Sequence, residues 1–166
     1  YGMTFNNDGT KLYVTGQGTD TVYQYSLSTA FDLDTTSYDS VSFNANSQNT
    51  AIAGVAFNSD GTKMYLVGYS SPSSVFQYSL STAFDLSTAS YDSVSFNVSS
   101  QASTAFGLAF NNAGTKMYIV SFGNDTIYQY SLSSAFNLST ASYDSVSLDV
   151  NAQEAAPAGM TFNNDG

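Results

Sequence analysis

Gly2-Met3-Thr4-Phe5-Asn6-Asn7-Asp8-Gly9 returns as Gly54-Val55-Ala56-Phe57-Asn58-Ser59-Asp60-Gly61 and again as Gly107-Leu108-Ala109-Phe110-Asn111-Asn112-Ala113-Gly114. Residues 159–166 then repeat the first copy letter for letter. The copies begin at 2, 54, 107 and 159, a period of 52 to 53 residues. Each of the three full copies carries a single lysine at the same place, Lys11, Lys63 and Lys116. A fixed period of this length marks one supersecondary unit copied in tandem.

Working outward from the motif, each copy holds four short apolar runs separated by turn residues. In the first copy they are Met3 to Phe5, Lys11 to Thr15, Thr21 to Leu27 and Tyr38 to Asn44. Asp8-Gly9 between the first two is a hairpin signal. In the third run Tyr23, Tyr25 and Leu27 alternate with Val22 and Gln24, so both faces carry groups fit for burial. A sandwich strand with one wet face would be polar on one side. No window shows sustained helical periodicity, and residues 30–33 allow one short turn. Four antiparallel strands per repeat of about 50 residues describe a propeller blade. The expected fold is all-β: a β-propeller-type array of four-stranded antiparallel blades, three full blades plus one extra inner strand. The blades are read at 1–53, 54–106 and 107–158, with the first strand of a fourth at 159–166.

The hairpin Asp8-Gly9-Thr10-Lys11-Leu12-Tyr13-Val14-Thr15, with copies at 60–67 and 114–120, resembles the YVTN-type and lactonase-like propeller repeats. That resemblance implies the fold. For lactonase-like members it also implies acidic and histidine ligands around a central metal, a set that cannot be carried over to a chain without histidine.

Propellers close with about 4–8 blades. Three blades leave two apolar faces open, each large side chain forgoing roughly 1.5–3 kcal/mol of burial. Further repeats in a longer protein, association of copies through blade faces, or an open spiral would each cover them. The first is expected, because a fourth copy of the inner strand would be redundant if copies of this segment simply met head to tail.

Composition narrows the function classes. Three basic residues stand against thirteen acidic ones, for a formal charge of −10. Nucleic acid is excluded as a partner because phosphate neutralisation needs clustered cations. No apolar run approaches the roughly 20 residues of a membrane span, so no membrane insertion is expected. Without cysteine there is neither a disulfide framework nor a thiolate metal site. Charged residues make up 10% of the chain, below the roughly 25% of an average soluble domain, so Ser, Thr, Asn and Gln must keep it soluble.

Without His, Cys or Arg, no triad of the serine or cysteine type can be assembled, and no catalytic residue is expected. Asn6-Asn7-Asp8, Thr19-Asp20-Thr21 and Asn124-Asp125-Thr126 offer calcium-type oxygen ligands; the alternative is that these side chains cap turns. No cofactor is expected and no metal ligand is assigned. Gln24, Gln77 and Gln129 are expected to be buried amides bonding across blades.

The segments that differ between copies, residues 16–20, 68–73 and 121–125 with the blade-to-blade connections, should share one face. Tyr69 and Phe122 are the expected anchors there, with Gln17, Asp20, Asn124 and Asp125 as polar contacts. The resulting expectation is a non-enzymatic extracellular binding or adhesion module, at a cell or virion surface, recognising a glycan or protein surface. A self-assembling repeat of a surface fibre, sheath or virion appendage is the first alternative. A lactonase-like enzyme is the second.

Overall fold

The computed structural model describes residues 2–16 and 18–163. β1 (Met3–Phe5), β2 (Lys11–Gly16), β3 (Thr21–Leu27) and β4 (Thr36–Asn44) form one antiparallel meander. β5 (Ile52–Phe57), β6 (Lys63–Gly68), β7 (Ser74–Leu80) and β8 (Ala89–Asn97) form the second. β9 (Ala105–Phe110), β10 (Lys116–Ser121), β11 (Thr126–Leu132) and β12 (Ala141–Asp149) form the third. The all-β, propeller-type architecture expected from the repeat is what folds, although residues 159–163, the described part of the expected fourth inner strand, form no strand.

The invariant turn explains itself locally. Gly9, Gly61 and Gly114 sit at positive φ. A Cβ on any of them would overlap the ring of Phe31, Phe84 or Phe136 respectively. Asp8 Oδ1 accepts from the backbone N–H of Thr10 at 3.0 Å and from its hydroxyl, the Asx arrangement that holds such turns. The Ser/Thr-rich third connection contains one 3-10 turn per blade, Leu33–Thr35, Leu86–Thr88 and Leu138–Thr140, capped by Asp32, Asp85 and Asn137.

Two cores lie between the blades rather than within them. Tyr13, Val22, Val41 and Phe43 of the first blade pack on Val55, Met64, Leu66, Phe76, Tyr78 and Leu86 of the second. Tyr65, Val67, Val75 and Phe96 of the second pack in the same way on Leu108, Met117, Ile119, Tyr130 and Leu138 of the third. This two-faced burial is why the third strands carry no wet side.

The outer strands each contain a bulge. Register slips where Gln24 gives way to Tyr25 opposite β4, and Ser40, Ser93 and Ser145 take positive φ there. A bulge re-aims its side chains; here it turns Asp39, Asp92 and Asp144 toward the blade. Gln24 Nε2 donates to Asp39 Oδ2 at 2.8 Å, and its Oε1 accepts from the backbone N–H of Leu86 at 2.9 Å in the next blade. Gln77 repeats this with Asp92 and Leu138. Lys11, Lys63 and Lys116 close each cluster at 3.4, 3.2 and 2.7 Å from the same carboxylates. Tyr13 Oη adds a bond to the carbonyl of Phe84, and Tyr65 one to that of Phe136. Gln24 and Gln77 thus bond across blades, as expected, whereas Gln129 bonds to Asp144 of its own blade.

Candidate functional site

A cleft of about 460 Å³ runs along the inner strands. Its wall is built from the last residues of β1, β5 and β9 and from segment 160–163. Phe84 and Phe136, from the invariant third connection, also line it, which places the cleft on the side of the invariant turns. The floor is apolar: Met3, Val55, Leu108 and the rings of Phe5, Phe57, Phe110 and Phe162. Those rings are fixed by stacking, Phe57 on Tyr13 at 4.5 Å and Phe110 on Tyr65 at 4.6 Å.

Neutral polar groups rim the cleft. Thr4 and Thr161 supply hydroxyls at a position that Ala56 and Ala109 occupy in the middle blades. Asn58 and Asn111 have structural work, each accepting from the N–H of Lys63 or Lys116 at 2.9 Å. The next residue in each turn, Asn7, Ser59 and Asn112, stands at the rim; Asn7 Nδ2 donates to the Ser59 carbonyl at 2.6 Å, tying two blades there. Asp8 and Asp60 follow one residue further on. Hydrogen bonds from the hydroxyl and then the amide of Thr10 and Thr62 hold their carboxyls below the usual range, so both are ionised at neutral pH. No cationic side chain lines the cleft among the described residues.

The five described candidates from sequence lie away from this cleft, on the opposite side. Gln17 lies outside the described residues. Tyr69 and Phe122 are brought together through Phe106, with ring centroids 4.8 Å apart at each step, and Phe122 is 40% exposed. Asn124 Nδ2 donates to the Gln101 carbonyl at 3.0 Å and contacts the Tyr128 hydroxyl. Asp20 is buried, its two oxygens taken by Asn46 Nδ2 at 2.9 Å and the Ile52 N–H at 3.3 Å. Asp125 does the same with Asn151 and the Ala156 N–H. These two carboxylates therefore tie the second loop of a blade to the connection that leaves it. In sequence the cleft residues read as inner-strand apolar runs and near-constant turn residues, a pattern that marks scaffold.

No family model and no curated protein matches the sequence. Solved structures do match. A Bacteroides fragilis protein provisionally assigned as a 6-phosphogluconolactonase aligns over 98% of this chain and 41% of its own, at 12% identity and TM-score 0.67. A Bacteroides uniformis protein with the same provisional assignment aligns over 89% and 39%, at 11% identity and TM-score 0.64. The periplasmic gluconolactonase of Pseudomonas aeruginosa aligns over 94% and 40%, at 12% identity and TM-score 0.62. The chain thus shares the propeller fold of lactonase-like proteins and spans about two fifths of their length.

These neighbours correct the expectation of a non-enzymatic binding or adhesion module. The scaffold is one on which lactone-hydrolysing enzymes are built, and they give adhesion or structural assembly no support. The exclusion of enzyme activity was drawn from missing His, Cys and Arg. Those residues are required for triads, whereas an activated ester needs only polarisation and an ionised base. Among the described residues no helix is long and apolar enough to cross a membrane.

Proposed function

We propose that this chain is a lactonase-like hydrolase whose cleft takes an uncharged sugar lactone. The observation that carries the reading is the cleft's lining, neutral amides and hydroxyls around an aromatic floor. Sugar rings present apolar C–H faces with hydroxyls around their edge, and Phe5, Phe57 and Phe110 suit the first as Asn7, Ser59, Asn112 and Thr4 suit the second. The named neighbours include enzymes for both phosphorylated and unphosphorylated gluconolactone. Charge favours the unphosphorylated one: all three lysines are ion-paired on the outer part of the blades, and a phosphate would meet no cation in the cleft.

In this reading the side-chain amides donate to the lactone carbonyl, where charge develops as water adds. One carboxylate, Asp8 or Asp60, ionised in the turn just beyond the cleft lining, takes the single proton from that water. The oxyanion then collapses, the ring C–O bond breaks, and the proton passes to the leaving ring oxygen to give the hydroxy acid. The periplasmic neighbour and the low charge content support a location outside the cytoplasm.

A pH-stat assay tests this. D-glucono-1,5-lactone should open faster than its spontaneous rate at pH 7, and the 6-phosphorylated lactone should gain much less. Asp8→Asn with Asp60→Asn keeps the turn acceptors and should lower kcat about 100-fold. Equal rates with and without protein would reject the proposal.

A further inference from the structure

The two blade interfaces share one plan, and both halves of a third copy of it stand open on this chain. On the forward face of a blade, a tyrosine stacks on the next blade's inner-strand phenylalanine and a glutamine accepts from the N–H of its 3-10-turn leucine. The forward face of the third blade repeats these groups as Tyr118, Ile127, Gln129, Val146 and Leu148. Val146 and Leu148 are 50% and 60% exposed, whereas Phe96, aligned with Leu148, packs into the second core. Gln129 Nε2 holds Asp144 at 2.8 Å, while its Oε1 accepts nothing among the described residues. A hollow of about 300 Å³ remains in front of them.

The matching half lies on the rear face of the first blade. Leu33 aligns with Leu86 and Leu138, which are 1% and 0% exposed once seated against a forward face; Leu33 is 61% exposed. Phe31 and Tyr38 beside it are 59% and 48% exposed. Segment 160–162 occupies the inner-strand place ahead of the third blade. Phe162 stands 4.7 Å from Tyr118, as Phe57 stands 4.5 Å from Tyr13, yet the segment pairs with no second strand. Its sequence is that of β1, which pairs with β2 through Met3 opposite Val14 and Phe5 opposite Leu12.

We propose that a second copy of this chain docks its first blade on the forward face of the third, seating its Leu33 in the hollow under Gln129, and that segment 160–162 replaces the second copy's β1 beside its β2. The exchange sets identical side chains beside β2, while the displaced β1 gives up its own pairing there. The same step in the other direction closes a ring of two copies. Six blades fall within the 4–8 at which propellers close, and two copies approach the length of the neighbours, of which one spans about two fifths. The closed ring would also complete the inner-strand cleft. This proposal stands independently of the lactonase reading.

Light scattering on the 166-residue chain at tens of micromolar tests it. The expected mass is twice 17.6 kDa. Leu33→Asp and Leu148→Asp, both at exposed positions, should each give the single-chain mass with an unchanged far-UV spectrum. Mixed, the two variants should re-associate, since one interface between them is intact. The chain has no cysteine, so Val14→Cys with Met160→Cys should form an interchain disulfide if the strand exchanges. A folded single-chain mass for the unmodified protein, a polydisperse series, a dimer indifferent to Leu33→Asp, or the absence of that cross-link in a dimer would each overturn the proposal.

Discussion

Replacing Gln77 with alanine probes the bond that joins blades, and Gln129 supplies its internal control. Gln77 is 5% exposed; it donates to Asp92 at 2.8 Å and accepts from Leu138 N–H at 2.9 Å. Loss of a hydrogen bond to a charged group costs about 1.5–3 kcal/mol, and a buried N–H left without an acceptor about 1–3 kcal/mol. The expected loss is about 3–5 kcal/mol, a large share of a domain's total stability. Gln129→Ala removes only the bond to Asp144, because no next-blade N–H reaches its Oε1. That variant should lose only the first contribution, about 1.5–3 kcal/mol. Both are best measured by urea unfolding in the Leu33→Asp background, where the docking of a second copy does not supply Gln129 with a partner. Amide exchange at Leu138 should accelerate only in the Gln77 variant. Equal losses at the two positions, or unchanged exchange at Leu138, would refute the cross-blade role.

Other outcomes follow from the same geometry. Gly61→Ala should cost about 1–3 kcal/mol and lower Tm by several degrees, because φ is +73° and the Phe84 ring fills the space; an unchanged Tm contradicts this. Tyr65→Phe should cost about 1 kcal/mol by removing the bond to the Phe136 carbonyl, whereas Tyr130→Phe should be neutral or slightly stabilising, since the Tyr130 hydroxyl is buried without a partner. Urea midpoints of the two variants check the contrast. Burial raises the Asp144 carboxyl, but bonds from Lys116, Ser131 and Gln129 outweigh it and bring it to about 2; Asp39 and Asp92 are lowered in the same manner. A folded-state value below the unfolded one, about 3.9, gives stability that is complete above about pH 4 and fades as pH falls toward 2. The urea midpoint should therefore hold steady from pH 7 to 5 and drop below pH 4, and a drop centred near neutrality would contradict it.

The repeat made the blades legible, since period-2 alternation with apolar groups on both faces has few other solutions. The cross-blade glutamines were legible for the same reason, as amides set between aromatic neighbours. The place of Asp39, Asp92 and Asp144 was not. A turn or rim role follows from their polarity, but the bulge at Ser40 and its copies, a backbone feature, turns them toward Lys and Gln. The candidate site was the least visible part. Variation between copies points to the loops holding Asp20 and Asp125, yet those carboxylates are spent on bracing the loops. The cleft forms where invariant turns from successive blades converge, a juxtaposition that no single repeat displays.

The most direct test is to locate a lactone isostere on the protein. D-Glucono-1,5-lactam does not hydrolyse and can be titrated while side-chain amide resonances are followed by NMR. The cleft reading predicts shifts at Asn7 and Asn112, lost in Asn7→Ala with Asn112→Ala, and none at Asn46 or Asn124. Shifts confined to Asn46 and Asn124, or none anywhere at millimolar lactam, would contradict it.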